Sequence, residues 1–300
     1  MPGVMRQRFT EVTAELIDAN PHLAVLTADL TAKAFDEVRA RHPDRVINVG
    51  IREQLLISVA GGLALAGVRP IAHSFAPFLV ERPFEQIKLD LNHQGAGAVL
   101  VSAGGSYDIA NGGRSHQSPG DVALLSTLPD WTIDVPGHTD EAEAQLRKAV
   151  TTDNLVYLRL SNRENKRAYA GAGDGFTPLR TGRRGVVLAV GPLADNVLAA
   201  TEGLDVTVLY ANRIRPFAGK ALRACAAELE DPAIVLVEPY LAGTSASEVT
   251  TALRGLRHRM LSLGVAREEL RHYGSTRQHD IAHGLDAAGL RRNVVAFLNE

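Results

Sequence analysis

A carboxylate at the threshold of an apolar helix is the first place in this chain of 300 residues where chemistry is expected. The stretch Arg45-Val-Ile-Asn-Val-Gly-Ile-Arg-Glu-Gln54 reads as an apolar strand that breaks at Gly50 and delivers Glu53 to a helix over about residues 54–66, built almost wholly from Leu, Ile, Val, Ala and Gly. Burying an ionised carboxylate against such a segment is costly unless it has a partner. An exposed Glu53 would simply favour the positive end of the helix dipole. A second candidate is His116, in the polar, glycine-rich loop Asn111-Gly-Gly-Arg-Ser-His-Gln117. An imidazole there can donate or accept a hydrogen bond during carbonyl chemistry, or stand as a solvated surface residue. His279 and His283 have the spacing of helical metal ligands, but lack the glutamate of a zincin and a third ligand, so a surface helix is expected. Cys225 reads as a small core hydrophobe.

The elements that must position these residues follow from composition and pattern. Hydrophobic residues make up 45% of the chain and aromatic residues only 5%, so the core is built from Ala, Val, Leu and Ile. That favours an α/β protein with parallel strands buried on both faces, and the length favours about two domains. The net charge of −2 gives no electrostatic reason to expect nucleic acid or an anionic membrane. No uncharged apolar run reaches the length of a membrane span, and the first residues lack a signal-peptide core. With a single cysteine, a reducing, cytoplasmic compartment is the default. Strands are predicted over 23–27, 46–49, 69–75, 98–102, 132–136 and 155–160, with a helix over 84–92. Residues 161–184 are charged and turn-rich and read as a linker. A second series follows, with strands over 185–190, 206–210 and 233–237, a helix over 219–229 and another opening near Thr244. The predicted organisation is a first domain over 1–160, a linker over 161–184 and a second domain over 185–300.

Taken in order, Ala28-Asp-Leu30, Gly50-Ile-Arg-Glu-Gln54, Ser74-Phe-Ala-Pro-Phe-Leu79, His116-Gln117 and Val237-Glu-Pro-Tyr-Leu-Ala-Gly-Thr244 resemble the transketolase family of thiamine diphosphate enzymes over nearly the whole chain. The resemblance implies two mostly parallel α/β domains, a pyrimidine-binding domain and a transketolase C-terminal domain. It implies that Glu53 hydrogen-bonds the ring nitrogen of the cofactor's aminopyrimidine and promotes the tautomer that takes up the thiazolium proton, a form of general acid–base catalysis. It also implies that an aromatic, Phe78 first and Phe75 second, stacks on that ring, that Asp29 belongs to the cofactor site, and that His116 contacts substrate hydroxyls.

The family's domain for the diphosphate and Mg²⁺ has no counterpart in these motifs, so the resemblance is to the C-terminal subunit of a split transketolase. An N-terminal partner subunit would carry the diphosphate and metal ligands, in a heterotetramer with two of each chain. Gly173-Asp-Gly175 is reminiscent of the family's metal motif but lacks its strand and distant Asn, and reads as a loop. The chain also departs from the family pattern: Gly112 stands for an acidic residue, Arg114 for a proline, Gly104 for a histidine, and Lys33 for a Ser or Thr. Arg6, Lys33, Arg114, Arg159 and Arg163 can supply a different anion clamp, or remain solvated charges. The expected reaction is transfer of a two-carbon ketol unit from a ketose-like donor to an aldehyde. The rivals are a deoxyxylulose-phosphate-synthase-like enzyme, the beta chain of a 2-oxoacid dehydrogenase, and a non-catalytic homologue.

Overall fold

Runs of aliphatic residues become strands with both faces covered. The computed structural model describes residues 3–173, 175–271 and 273–300; Asp174 of the Gly-Asp-Gly loop lies outside them. In the first half, β1 (Leu23–Thr27), β2 (Val46–Asn48), β3 (Arg69–Phe75), β4 (Val99–Ala103), β5 (Trp131–Asp134) and β6 (Leu155–Arg159) pair in parallel in the spatial order β5-β6-β4-β3-β1-β2. Every residue of β1, β4 and β6 is buried, as a sheet covered by helices on both faces requires. One face carries the helices Val4–Ala19 and Thr139–Ala149, which share a core with Phe9, Val12, Ile17 and Leu146. The other carries the helix Glu53–Leu65 against the helical stretch Ile87–His93, with Leu56, Ile57, Ala60 and Leu91 fully buried. The glycines of the apolar helix now have a reason: a Cβ on Gly61 would stand 2.5 Å from the carbonyl oxygen of Asp90, so only a glycine lets the two backbones approach this closely.

The second half adds β7 (Thr177–Arg180), β8 (Val186–Val190), β9 (Thr207–Ala211), β10 (Arg213–Arg215), β11 (Ala233–Leu241) and β12 (Arg259–Val265). Five of these form a sheet in the order β12-β11-β8-β9-β7, parallel except for β7. Strand β7 falls within the stretch that sequence alone reads as linker. Strand β10 leaves its own half and joins the first sheet, antiparallel to β5, with the Arg213 guanidinium on the Asp134 carboxylate at 2.6 and 3.0 Å. Neither β10 nor β12 nor the N-terminal helix was predicted. Further bonds cross between the halves: Leu241 N–H donates to Pro119 O at 2.8 Å, Gln145 Nε2 to Asn212 O at 2.7 Å, and the Tyr210 hydroxyl to Glu141 Oε2. Among the described residues no helix is long and apolar enough to cross a membrane.

One buried acid in the second sheet makes stability depend on pH. Glu238, on β11, is fully buried and accepts from Ser245 N–H at 3.1 Å. Burial pushes its carboxyl from the ordinary 4.5 up to about 7. The folded state therefore holds the proton more tightly than the unfolded one. The associated stability is fully present below pH 4.5 and is lost as pH rises through 7. At about 1.4 kcal/mol per tenfold change in proton affinity, the loss is on the order of 3 kcal/mol. Glu238→Gln is expected to flatten this decline, read as urea unfolding midpoints at pH 5 and pH 8. An equal decline in variant and wild type would show that Glu238 is not its source.

Candidate functional site

The carboxyl ends of the parallel strands converge on one edge, where open α/β sheets hold their ligands. The first sheet sends three side chains there from separate connections. After β2 the chain turns at Gly50, whose φ of +72° favours glycine, and Glu53 opens the helix Glu53–Leu65 with only 2% of its surface exposed. After β3, which ends at Phe75, the chain passes directly into a widened π-helical turn, Pro77–Glu81, that carries Phe78. Such wide turns concentrate at functional sites. After β4, the loop over residues 104–118 presents His116 on a short 3₁₀ turn, Arg114–His116.

These side chains form one contiguous cluster. The rings of Phe75, Phe78 and His116 meet edge to face, at 6.2 Å between the two phenylalanines, 5.7 Å from Phe75 to His116 and 5.1 Å from Phe78 to His116. Arg82, at the end of the wide turn, completes the set. Its Nη1 donates to Glu53 Oε2 at 2.7 Å, and its guanidinium lies 4.0 Å over the centre of the Phe78 ring. Sequence reasoning missed Arg82: no spacing rule shows that it reaches back 29 residues to Glu53. The wide turn is tied to the histidine loop by Ser118 Oγ, which donates to Glu81 Oε1 at 2.8 Å; burial pushes the Glu81 carboxyl up.

The remaining predicted residues spread outward from this cluster. Asp29 sits in the left-handed region with φ of +63°. Asn48 accepts from its backbone N–H at 3.0 Å and donates to its carboxylate at 2.9 Å, while also accepting from Gly50 N–H at 3.0 Å. Asp29 is thereby tied to the turn that delivers Glu53. Asp29 and Lys33 line a hollow of about 580 Å³ with Thr31, Asp36 and Arg39. Arg6 lines a neighbouring hollow that also includes Thr31, and burial lowers its proton affinity. Beneath them His73 is fully buried, with Nδ1 at 2.7 Å from Val101 O and Nε2 at 3.1 Å from Thr31 Oγ1; burial lowers it to about 4, so it is neutral at physiological pH. Arg114 turns away from the cluster, to Glu269 at 3.2 Å and Gln117 O at 3.2 Å. Arg163 is held by Asp280, its Nη1 at 2.6 and 2.8 Å from the two carboxylate oxygens. Arg159 is neither a surface charge nor an open clamp, because it is buried on Asp121 at 2.7 Å.

Three sequence readings acquire physical detail. His279 is on the expected helix, Thr276–His283, but is not at the surface: it is 1% exposed and stacks on Tyr107 at 5.1 Å. Among the described residues, no group of three or more His, Cys, Asp or Glu is placed to hold a metal ion. Cys225 is half-buried against the core. The two glycines that depart from the family pattern are sterically required. A Cβ on Gly104, at φ of +70°, would meet Ile109 Cδ1 at 2.4 Å, and one on Gly112 would lie 2.9 Å from Cγ of His116.

Comparison with known proteins fits this geometry. Residues 3–167 match the family described as transketolase, pyrimidine binding domain. The chain belongs to the transketolase family of thiamine diphosphate-dependent proteins. It is 52% identical, over 97% of its length and 93% of the relative's, to an uncharacterized 33.6 kDa protein in the fasciation locus of Rhodococcoides fascians. It is 28% identical to the 1-deoxy-D-xylulose-5-phosphate synthase of Acidovorax sp. strain JS42, over 96% of this chain but 47% of that one, so it spans about half the length of such synthases. It is 29% identical to a 6-deoxy-6-sulfo-D-fructose transketolase subunit of Clostridium sp. strain MSTE9, over 73% of this chain and 71% of that one. A split-gene transketolase, described as an inactive β4 tetramer, superposes with a TM-score of 0.84 over 98% of both chains at 26% identity.

Gly112 gives a direct test of the packing around the histidine. Gly112→Ala is expected to destabilise the protein by about 1–3 kcal/mol, because the added methyl needs space that His116 and Ile109 already fill. Its methyl must displace the imidazole, so the His116 side-chain resonances are expected to move in NMR spectra. Unchanged resonances would mean that the ring does not fill this space in solution.

Proposed function

We propose that this chain is the pyrimidine-binding subunit of a two-chain transketolase-type enzyme, transferring a two-carbon ketol unit from a ketose-like donor to an aldehyde acceptor. The observation that carries the reading is the cluster of Glu53, Phe78 and His116 at the carboxyl edge of the first sheet. When bound, thiamine diphosphate supplies a nucleophilic carbon that adds to a carbonyl. The residues present fit its aminopyrimidine: a planar group of similar reach already sits over Phe78 and hydrogen-bonds the Glu53 carboxyl, in the form of the Arg82 guanidinium. Glu53 would hold the ring nitrogen and keep a proton there, with Phe78 against the ring face and Phe75 buttressing Phe78. His116 would hold a substrate oxygen by a hydrogen bond. Asp29 borders the same edge through Asn48, and Arg6 and Lys33 offer positive charge to an anionic substrate group on that side. Arg114 and Arg163 serve that role less well, since each is engaged by a carboxylate.

The diphosphate and Mg²⁺ ligands are assigned to an N-terminal partner subunit, in an assembly with two of each chain. The match to a split-gene transketolase over 98% of both chains supports a partner subunit. So does the apolar surface beside the site, where Ile51 is 69% and Leu55 43% exposed at the start of the Glu53 helix, and Leu89 is 43% exposed on the neighbouring segment. Exposed apolar side chains on adjoining segments suit a surface that a partner covers. A second reading is favoured by the synthase relatives: transfer of a two-carbon unit lacking the hydroxyl, as the 1-deoxy product in their name indicates. Supplying the reconstituted pair with donors that do and do not carry that hydroxyl separates the two.

The isolated chain is expected to show no turnover and to bind thiamine diphosphate weakly or not at all in calorimetry with Mg²⁺. Tight binding by the chain alone would remove the two-chain reading. In the reconstituted pair, Glu53→Gln is expected to lower turnover by about 10²-fold or more, as for other general acid–base groups, because the amide hydrogen-bonds but cannot share a proton. Turnover within twofold of wild type would exclude Glu53 from the chemistry.

A further inference from the structure

We infer that Arg82 holds the place of the cofactor's aminopyrimidine in the free chain, and that the exchange of one for the other loads a proton onto Glu53. The inference rests on the cofactor reading above and adds to it a residue and a proton. The guanidinium shares with the ring it stands for its planarity, its seat on Phe78 and its contact with Glu53, but donates to Glu53 where the ring nitrogen accepts. It is planar, its carbon lies 4.0 Å from the centre of the Phe78 ring, and it meets Glu53 Oε2 through an N–H at 2.7 Å. Two groups cannot occupy that position at once.

Exposure distinguishes this ion pair from a purely structural one. The pair of Arg159 with Asp121 is sealed, with side chains 2% and 0% exposed. In the pair of Arg82 with Glu53 the acid is equally hidden, at 2%, but the arginine is 38% exposed. Arg82 can therefore swing outward into water without opening the core, whereas Glu53 cannot follow it. A carboxylate left alone in that position is costly. The guanidinium donates to Glu53 and so pairs with the ionised acid. A pyrimidine ring nitrogen is an acceptor and pairs with the protonated acid. Replacing the first by the second requires one proton from solvent, which ends on the Glu53 carboxyl.

Arg82 then acts as a placeholder. It keeps the buried acid satisfied before the cofactor arrives and competes with the cofactor for both Phe78 and Glu53. If the occupied arrangement makes up about nine-tenths or more of the free population, apparent affinity is lowered about tenfold or more.

The test is calorimetric titration of thiamine diphosphate with Mg²⁺ into the partner-reconstituted enzyme at pH 8, in two buffers of different ionisation enthalpy. Wild type is expected to take up close to one proton per site, and Glu53→Gln none. Arg82→Ala is expected to bind about tenfold tighter with a smaller proton uptake, and Arg82→Lys, which keeps the charge but loses the plane, to fall between. Binding by wild type without proton uptake would overturn the inference, even if the Arg82 variants failed to fold. Weaker binding by a folded Arg82→Ala would overturn it as well, since Arg82 would then be helping to hold the cofactor. No binding by wild-type enzyme in the presence of its partner would instead defeat the cofactor reading itself.

Discussion

Two opposite charges taken wholly out of water, Arg159 and Asp121, impose the order on which the site depends. Neither tolerates being buried without a complete set of partners, and the partners they recruit are the two ends of the loop over residues 104–118. Arg159 Nε donates to Asp121 and Nη2 donates to Ser106 Oγ at 2.8 Å. The Tyr157 hydroxyl adds a second bond to Asp121, at 2.7 Å. Ser106 in turn donates to the carbonyl of Pro239 in the second half and pairs as an isolated bridge with Ser118. The loop that presents His116 is thus pinned at its base, and the same network fastens the two halves together. A Cβ on Gly105 would lie 2.5 Å from the Arg159 guanidinium, so the backbone of the loop is itself moulded around the charge.

Much of the fold was legible because it depends on local pattern. Aliphatic runs separated by about twenty to thirty residues gave the parallel strands, and the Gly50 break before an apolar helix gave the position of Glu53. Two of the strands that sequence does not reveal share a physical cause. Strand β10 reads Arg213-Ile-Arg215, three residues too short to show a pattern, and pairs where Asp134 lies opposite Arg213 on a strand that the sequence places 79 residues away. Strand β7 contains Pro178 and sits at a sheet edge, where a missing N–H is tolerated. Tertiary pairing decided both elements, and no window of sequence contains that information.

The site divides along the same line. Glu53, Phe75, Phe78 and His116 come together in space because each ends or follows a strand, and a parallel sheet aligns such positions along one edge. The arginines were harder to place. A guanidinium in sequence carries no sign of whether it will face solvent, a carboxylate or a ligand, and here the outcomes differ widely. Arg159 organises a core, Arg163 fastens the helix Thr276–His283 through Asp280, and Arg114 bridges to Glu269. Arg82, which no motif singled out, proved to be the one in contact with the buried acid.

The exchange of β10 between sheets bears on how such a chain can be inherited. A gene for the first half alone would encode a sheet whose β5 ends in bare backbone N–H and C=O groups, a template for joining another chain edge to edge. The carboxylate of Asp134, fully buried and facing Arg213, would lose a cation supplied from outside that half. The two halves are therefore interleaved rather than strung in series. They are suited to being lost, duplicated or recombined as one cassette.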